Sequence, residues 1–181
     1  MTINRDEADA MLADIESIGR RVKQSLIYRV SSLVLMFWGV ITIAGNVVGF
    51  FDGRWAGYSW TAFDLVGVIG TVAILSRVHK AAAFDWRMLA GFALFFAFGL
   101  VWSVVLGRFG PRELDAFWPT LFLFGYALAG LWLGRAFTII GVGLAALVLA
   151  GYFWAGAAFD LYLAAVNGGG VILCGLWMRR A

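Results

Sequence analysis

Cysteine, histidine and lysine are scarce in this chain, and each shortage removes a class of chemistry. A single cysteine, Cys174, among 181 residues allows no intramolecular disulfide and no thiolate metal cluster; it reads as a small buried hydrophobe. The one histidine, His79, lies beside Arg77 and Lys80 between apolar runs, so paired-histidine haem or metal sites inside those runs are not expected. Neither lysine falls within an apolar run, which leaves a retinal Schiff base no attachment point. No serine stands in a nucleophile elbow, no glycine-rich loop precedes a Lys-Ser/Thr pair, and no acidic cluster has metal-binding spacing. The expectation is a protein that is not an enzyme and carries no catalytic residues, no cofactor and no metal.

Charge is sparse too, at 14% of residues, and it is concentrated between long stretches that have none. Val30–Phe51, Met88–Gly107, Ala116–Gly134, Ala136–Phe159 and Leu161–Met178 carry no charged side chain, and Trp55–Ser76 carries only Asp64. A bilayer core of roughly 30 Å is crossed by about 20 residues of helix. These runs do not alternate with period two, as barrel strands must, and they lack the polar face of a helix in a soluble core. The fold class is therefore all-α, a polytopic membrane protein of six transmembrane helices at about 30–51, 57–76, 88–107, 116–134, 136–157 and 160–178. Residues 1–29 form a cytosolic amphipathic helix leading into the first span, and 30–181 the transmembrane domain, with the lipid bilayer as its principal partner.

The basic residues give an orientation. Arg5, Arg20, Arg21, Lys23, Arg29, Arg77, Lys80, Arg87, Arg135, Arg179 and Arg180 fall on one side of a six-span arrangement, against Arg54, Arg108 and Arg112 on the other. The positive-inside rule then places both termini in the cytoplasm of a cell inner membrane. The net charge of +3 is thus a topology signal, and no basic face is large enough for nucleic acid. The first apolar run begins at residue 30, after an acidic segment, and is too long for a signal peptide, so the N-terminus is expected to be retained.

The first 29 residues read differently from the rest. Ala8, Met11, Ile15, Ile18 and Val22 recur at spacings of three and four, an apolar stripe on an otherwise polar helix. Asn4 and Glu7 have capping-box spacing. Asp6, Glu7, Asp9, Asp14 and Glu16 crowd the first half, while Arg20, Arg21 and Lys23 occupy the second, which complements the helix dipole. The early carboxylates disfavour a helix lying on an anionic leaflet. The stripe either folds back on loops of its own chain, or serves self-association or a cytosolic protein partner through residues 4–27. Residues 24–29 contain no proline or glycine, so the helix can run unbroken into the first span.

Glycine is the packing signal, with 23 in the chain. Gly45 with Gly49 and Gly130 with Gly134 are GxxxG pairs that let helix backbones approach. Asn167-Gly168-Gly169-Gly170 is the least helix-friendly stretch of any span, since each internal glycine costs about 1 kcal/mol relative to alanine. It marks local unwinding or a tight helix crossing. Phe-Asp or Phe-Trp pairs opening the even-numbered spans, at Phe63-Asp64, Phe117-Trp118 and Phe159-Asp160, hint at three related hairpins; membrane-interface composition alone also accounts for them.

Candidate functional residues are the polar ones at membrane depth: Asn46, Asp64 and Asn167, all mapped to the outer third. An intramembrane carboxylate is a functional hypothesis by default, while a helix cap is the competing role for Asp64 and Asp160. Two function classes follow. One is a non-enzymatic accessory, regulatory or scaffold protein working through its N-terminal helix; the other is a small channel or transporter for an ion or small solute at Asn46, Asp64 and Asn167. The six-span reading predicts that reporter fusions at Ala181 and in the loop 108–115 report opposite sides of the membrane, and agreement between the two would end it.

Overall fold

The structure, a computed structural model, describes residues 5–53, 55–78 and 86–180. Asn4, Arg54, His79, Lys80 and Ala181 lie outside the described residues. Among those described, every regular element is helical: α1 (Arg5–Phe51), α2 (Ala56–Val78), α3 (Trp86–Leu100), α4 (Pro111–Leu133), α5 (Arg135–Trp154), α6 (Phe159–Leu163) and α7 (Gly170–Met178). A π-helical segment, Val101–Leu106, extends α3, and a second, Ala164–Gly169, joins α6 to α7. Five stretches are long and apolar enough to cross a membrane: Ser17–Phe51, Gly57–Arg77, Pro111–Leu133, Arg135–Trp154 and Gly156–Met178. The remaining run expected at 88–107 falls on a shorter apolar helix, Ala90–Leu106. Arg87 bounds that run at one end, and at the other the chain turns at Gly107-Arg108-Phe109-Gly110, where Arg108 adopts a left-handed φ of 46°.

Side-chain contacts fix the helix directions. Trp38 Nε1 of α1 donates to Thr71 Oγ1 of α2 at 2.9 Å, and the Trp60 ring lies over Gly45, so these two helices are antiparallel. An aromatic ladder zips α3 to α4, with Phe96 over Trp118 at 4.9 Å between centroids and Phe92 over Phe122 at 6.4 Å. Gly130 against Thr138, and Gly141 against Leu123 and Ala127, set α4 antiparallel to α5. The Tyr162 hydroxyl donates to the Leu147 carbonyl at 2.8 Å, and Leu144 packs on Gly170, which orients α6–α7 against α5. Helices α1, α3 and α5 therefore run one way, and α2, α4 and α6–α7 the other.

A close backbone crossing also joins α1 to the α6–α7 stretch. A Cβ added at Gly39 would lie 2.8 Å from the Gly168 carbonyl oxygen, and one added at Gly168 only 3.0 Å from that of Gly39. Seven residues along, a Cβ at Gly175 would stand 2.9 Å from the Ser32 carbonyl oxygen. Backbone thus meets backbone, the arrangement that replaces the hydrophobic effect as a driving force between helices in lipid. Leu35, Phe137, Ile140, Leu144, Val148, Leu163 and Met178 fill the core beside it.

The glycine-rich stretch does not unwind. It forms a π-helical segment, which absorbs one extra residue while keeping backbone groups bonded, as burial in lipid requires. Its three glycines do different work: Gly168 meets α1 and Gly170 meets Leu144, whereas nothing approaches within 4 Å of a Cβ at Gly169. The two GxxxG pairs divide likewise. Gly45 receives Trp60 and Gly130 receives Thr138, but Gly134 makes the α4–α5 turn at φ 135° with the Tyr28 hydroxyl against it, and a Cβ at Gly49 meets only Asp160 Oδ2, at 3.9 Å. Gly168→Ala should therefore lower thermal stability by about 1–3 kcal/mol through overpacking, while the adjacent Gly169→Ala should leave it unchanged or raise it by about 0.5–1 kcal/mol. Melting of the two purified variants side by side checks this, and shifts of the same sign and size would contradict the crossing.

Candidate functional site

Where α1 ends, four helices converge on a cavity of about 90 Å³ lined by Asn46, Gly49, Gly53, Trp60, Pro111, Asp115 and Asp160. Local sequence explains each contribution. The α1–α6 crossing runs antiparallel, so its register carries Asn46 to the level of Asp160. Gly45 admits the Trp60 ring, which closes the cavity from α2. Extended Gly110 and Pro111 at the first position start α4, a role for which proline's fixed φ is suited, and Asp115 then falls on its second turn. Asp160 lies in the first turn of α6, whose N-cap position is Ala158.

Arg112, one turn before Asp115, holds this end together. Its Nη1 donates to the Gly156 carbonyl at 2.6 Å and its Nη2 to the Tyr152 carbonyl at 2.7 Å. The guanidinium also stands 5.5 Å from the Tyr152 ring centroid and 5.2 Å from that of Phe159. The last carbonyls of a helix have no intrahelical partner; Arg112 supplies one at the end of α5 and ties the start of α4 to the α5–α6 turn. The carboxylates of Asp115 and Asp160 lie close by: their charges act on each other, and the Arg112 charge acts on Asp160 in the opposite sense.

The three polar residues singled out by sequence are not brought together. Asn46 lines the cavity and is 4% exposed, with Nδ2 donating to the Thr42 carbonyl at 2.8 Å. Asp64 is exposed on α2, one turn beyond Trp60. It lies well inside a helix that begins at Ala56 and has no acidic residue in its first turn, so the cap role does not apply to it. Asn167 is buried at the midpoint of the Gly156–Met178 run rather than at the depth of Asn46. Arg112 and Asp115 passed in the sequence for loop charges. The signal that would have found them is Gly110-Pro111, which starts a helix early enough to place both on one side of it, at i and i+3.

At the opposite end of the bundle, α1 runs on without a break for 47 residues, about 70 Å at 1.5 Å per residue. Gln24 and Tyr28 lie against Gly134, and Tyr28 packs edge-on to Phe137 at 5.8 Å. Beyond them the stripe residues Met11, Ile15, Ile18 and Val22 are 52–65% exposed. They do not fold back onto the described part of the chain, and a Cβ at Gly19 meets nothing within 4 Å.

No protein-family model, no curated protein and no solved structure matches the chain.

Proposed function

We propose that this is a non-enzymatic integral protein of the inner membrane that acts as an accessory, regulatory or scaffold component through the projecting part of α1. The observation that carries the reading is the exposed stripe. Four large apolar side chains at helical spacing are exposed in a charge-bearing segment that precedes the charge-free run Val30–Phe51; Met11 and Ile15 lie before the stretch Ser17–Phe51 that is apolar enough to cross a membrane, and Ile18 and Val22 lie in its first turns. Lipid covers such side chains within a bilayer; outside it, exposed apolar rows at a/d spacing mark helix-pairing surfaces. The spans then anchor and orient this helix, and the surface binds a cytosolic protein or another copy of the chain.

Six crossings with both termini cytoplasmic complete the proposal. The helix directions support it, because α3 runs parallel to α1 and α5, and Ser32 and Gly175 lie together at one end of the bundle. With its π-helical extension, α3 runs from Trp86 to Leu106, a length that supports a sixth crossing. A transport role drew on Asn46, Asp64 and Asn167 as one site; these three lie apart, which favours the scaffold reading.

Ile15→Glu combined with Ile18→Glu should abolish partner binding or self-association while leaving membrane insertion and melting behaviour intact. Each buried isoleucine contributes about 1.5–3 kcal/mol to a helix contact, so the pair should weaken association by at least about a hundredfold. Size-exclusion profiles in detergent and cross-linking in membranes read this out. An unchanged oligomeric size together with an unchanged set of cross-linked proteins would overturn the proposal.

A further inference from the structure

Helix α2 is the least covered of the five long apolar helices: 6% of its apolar stretch is buried, against 17–39% in the other four. One side of it is held to α1 by the Trp38–Thr71 hydrogen bond and by rings packed on Gly45, Gly67 and Gly70. The other side is bare, with Leu65, Val68, Ile69 and Val72 47–68% exposed, and among these apolar residues Asp64 is exposed as well. It lies seven residues in from Gly57 and thirteen from Arg77 in the run Gly57–Arg77, about 10 Å and 20 Å along the axis. From that depth its short side chain cannot reach the interface as lysine and arginine do. Asp64 makes no hydrogen bond or ion pair among the described residues. Thr61, almost one turn before it, donates its hydroxyl to the Gly57 carbonyl at 3.0 Å.

We propose that this face of α2 docks a transmembrane helix of a different membrane protein, one that carries lysine or arginine at the depth of Asp64. A carboxylate inside the hydrocarbon is costly unless it is paired, and such residues face a partner or water rather than lipid. Charge decides between partners. A second copy of this chain brings no cation to that depth, because the charge-free runs of its other helices contain no lysine, arginine or histidine. Its Asn46 and Asn167 amides are buried within the bundle, and pairing α2 with α2 would set carboxylate against carboxylate. A basic side chain from another chain supplies both the opposite charge and the missing donor, and a charge-assisted hydrogen bond of that kind is strong. Gly57, Thr61, Asp64 and Val68 follow one another at spacings of four, three and four, a seam along which a second helix can lie. Nothing approaches within 4 Å of a Cβ at Gly57, so the partner's backbone can come close at the start of that seam. This surface lies within the membrane and is separate from the stripe on the first turns of α1.

The full-length protein, carrying a fluorescent donor at Ser76→Cys in a Cys174→Ala background and reconstituted in phosphatidylcholine vesicles, can be titrated with acceptor-labelled single-span peptides. These are leucine-alanine helices with lysine, leucine or glutamate at the centre. Energy transfer should show the lysine peptide associating at least about tenfold more strongly than the leucine peptide, and the glutamate peptide no better than leucine. Asp64→Asn and Asp64→Leu should each erase the preference for lysine, and Asp64→Glu should keep it. Val68→Trp should weaken association by crowding the seam, whereas Val66→Trp, on the opposite side of the same helix, should not. Since Asp64 is exposed, its variants should insert and melt like the wild type. Equal association of the lysine and leucine peptides with the wild type overturns the proposal, as it would mean a carboxylate that stays protonated in lipid. A lysine preference that survives Asp64→Leu overturns it too. So does energy transfer between differently labelled copies of the chain that is lost in Asp64→Leu, which would assign the face to a second copy.

Discussion

The placing of α1 depends on one contact, the approach of two peptide backbones where Gly39 of α1 meets Gly168 of the α6–α7 stretch. In water such a crossing would be one packing contribution among many, but in lipid the hydrophobic effect does not press helices together. Close backbone approach supplies the dispersion contacts that do, and only residues without a side chain permit it. The same contact sets the register of α1 against the C-terminal helices, with Ser32 level with Gly175 at one end and Asn46 level with Asp160 at the other. The cavity is thus a consequence of the crossing.

Electrostatics at that end centre on one cation. Arg112 bonds to the Tyr152 and Gly156 carbonyls at the close of α5, and its charge also acts on Asp160. Orphan carbonyls at a helix end near lipid cannot turn to water, so their need for a donor is strong, and the planar guanidinium reaches two of them while covering aromatic faces. Asp115 and Asp160 both line the cavity, and their charges act on each other.

The sequence made the membrane class legible because hydropathy integrates over some twenty residues and is insensitive to packing detail. Apolar length alone located the five helices long and apolar enough to cross a membrane, and the 3–4 spacing of Met11, Ile15, Ile18 and Val22 located a face that is exposed on α1. Polar placement was less legible. Asn46, Asp64 and Asn167 were grouped by depth, but depth says nothing about azimuth: Asp64 points away from the bundle and Asn167 sits at mid-span. Asp115 and Arg112 were invisible as site residues because helix α4 begins at Pro111, earlier than its charge-free run. Spacing could not show which glycines pack, either; Gly39 and Gly175 belong to no GxxxG pair, and their partners lie more than a hundred residues away in sequence.

The register of α1 against α6 is the claim on which the cavity rests, and thiol cross-linking in native membranes tests it most directly. In a Cys174→Ala background, Asn46→Cys with Asp160→Cys should be bridged within one chain by a short bifunctional thiol reagent. Asn46→Cys with Asn167→Cys, displaced seven residues or about 10 Å along the helix axis, should not be. Efficient bridging of the second pair and none of the first would contradict the structure and dissolve the cavity with it.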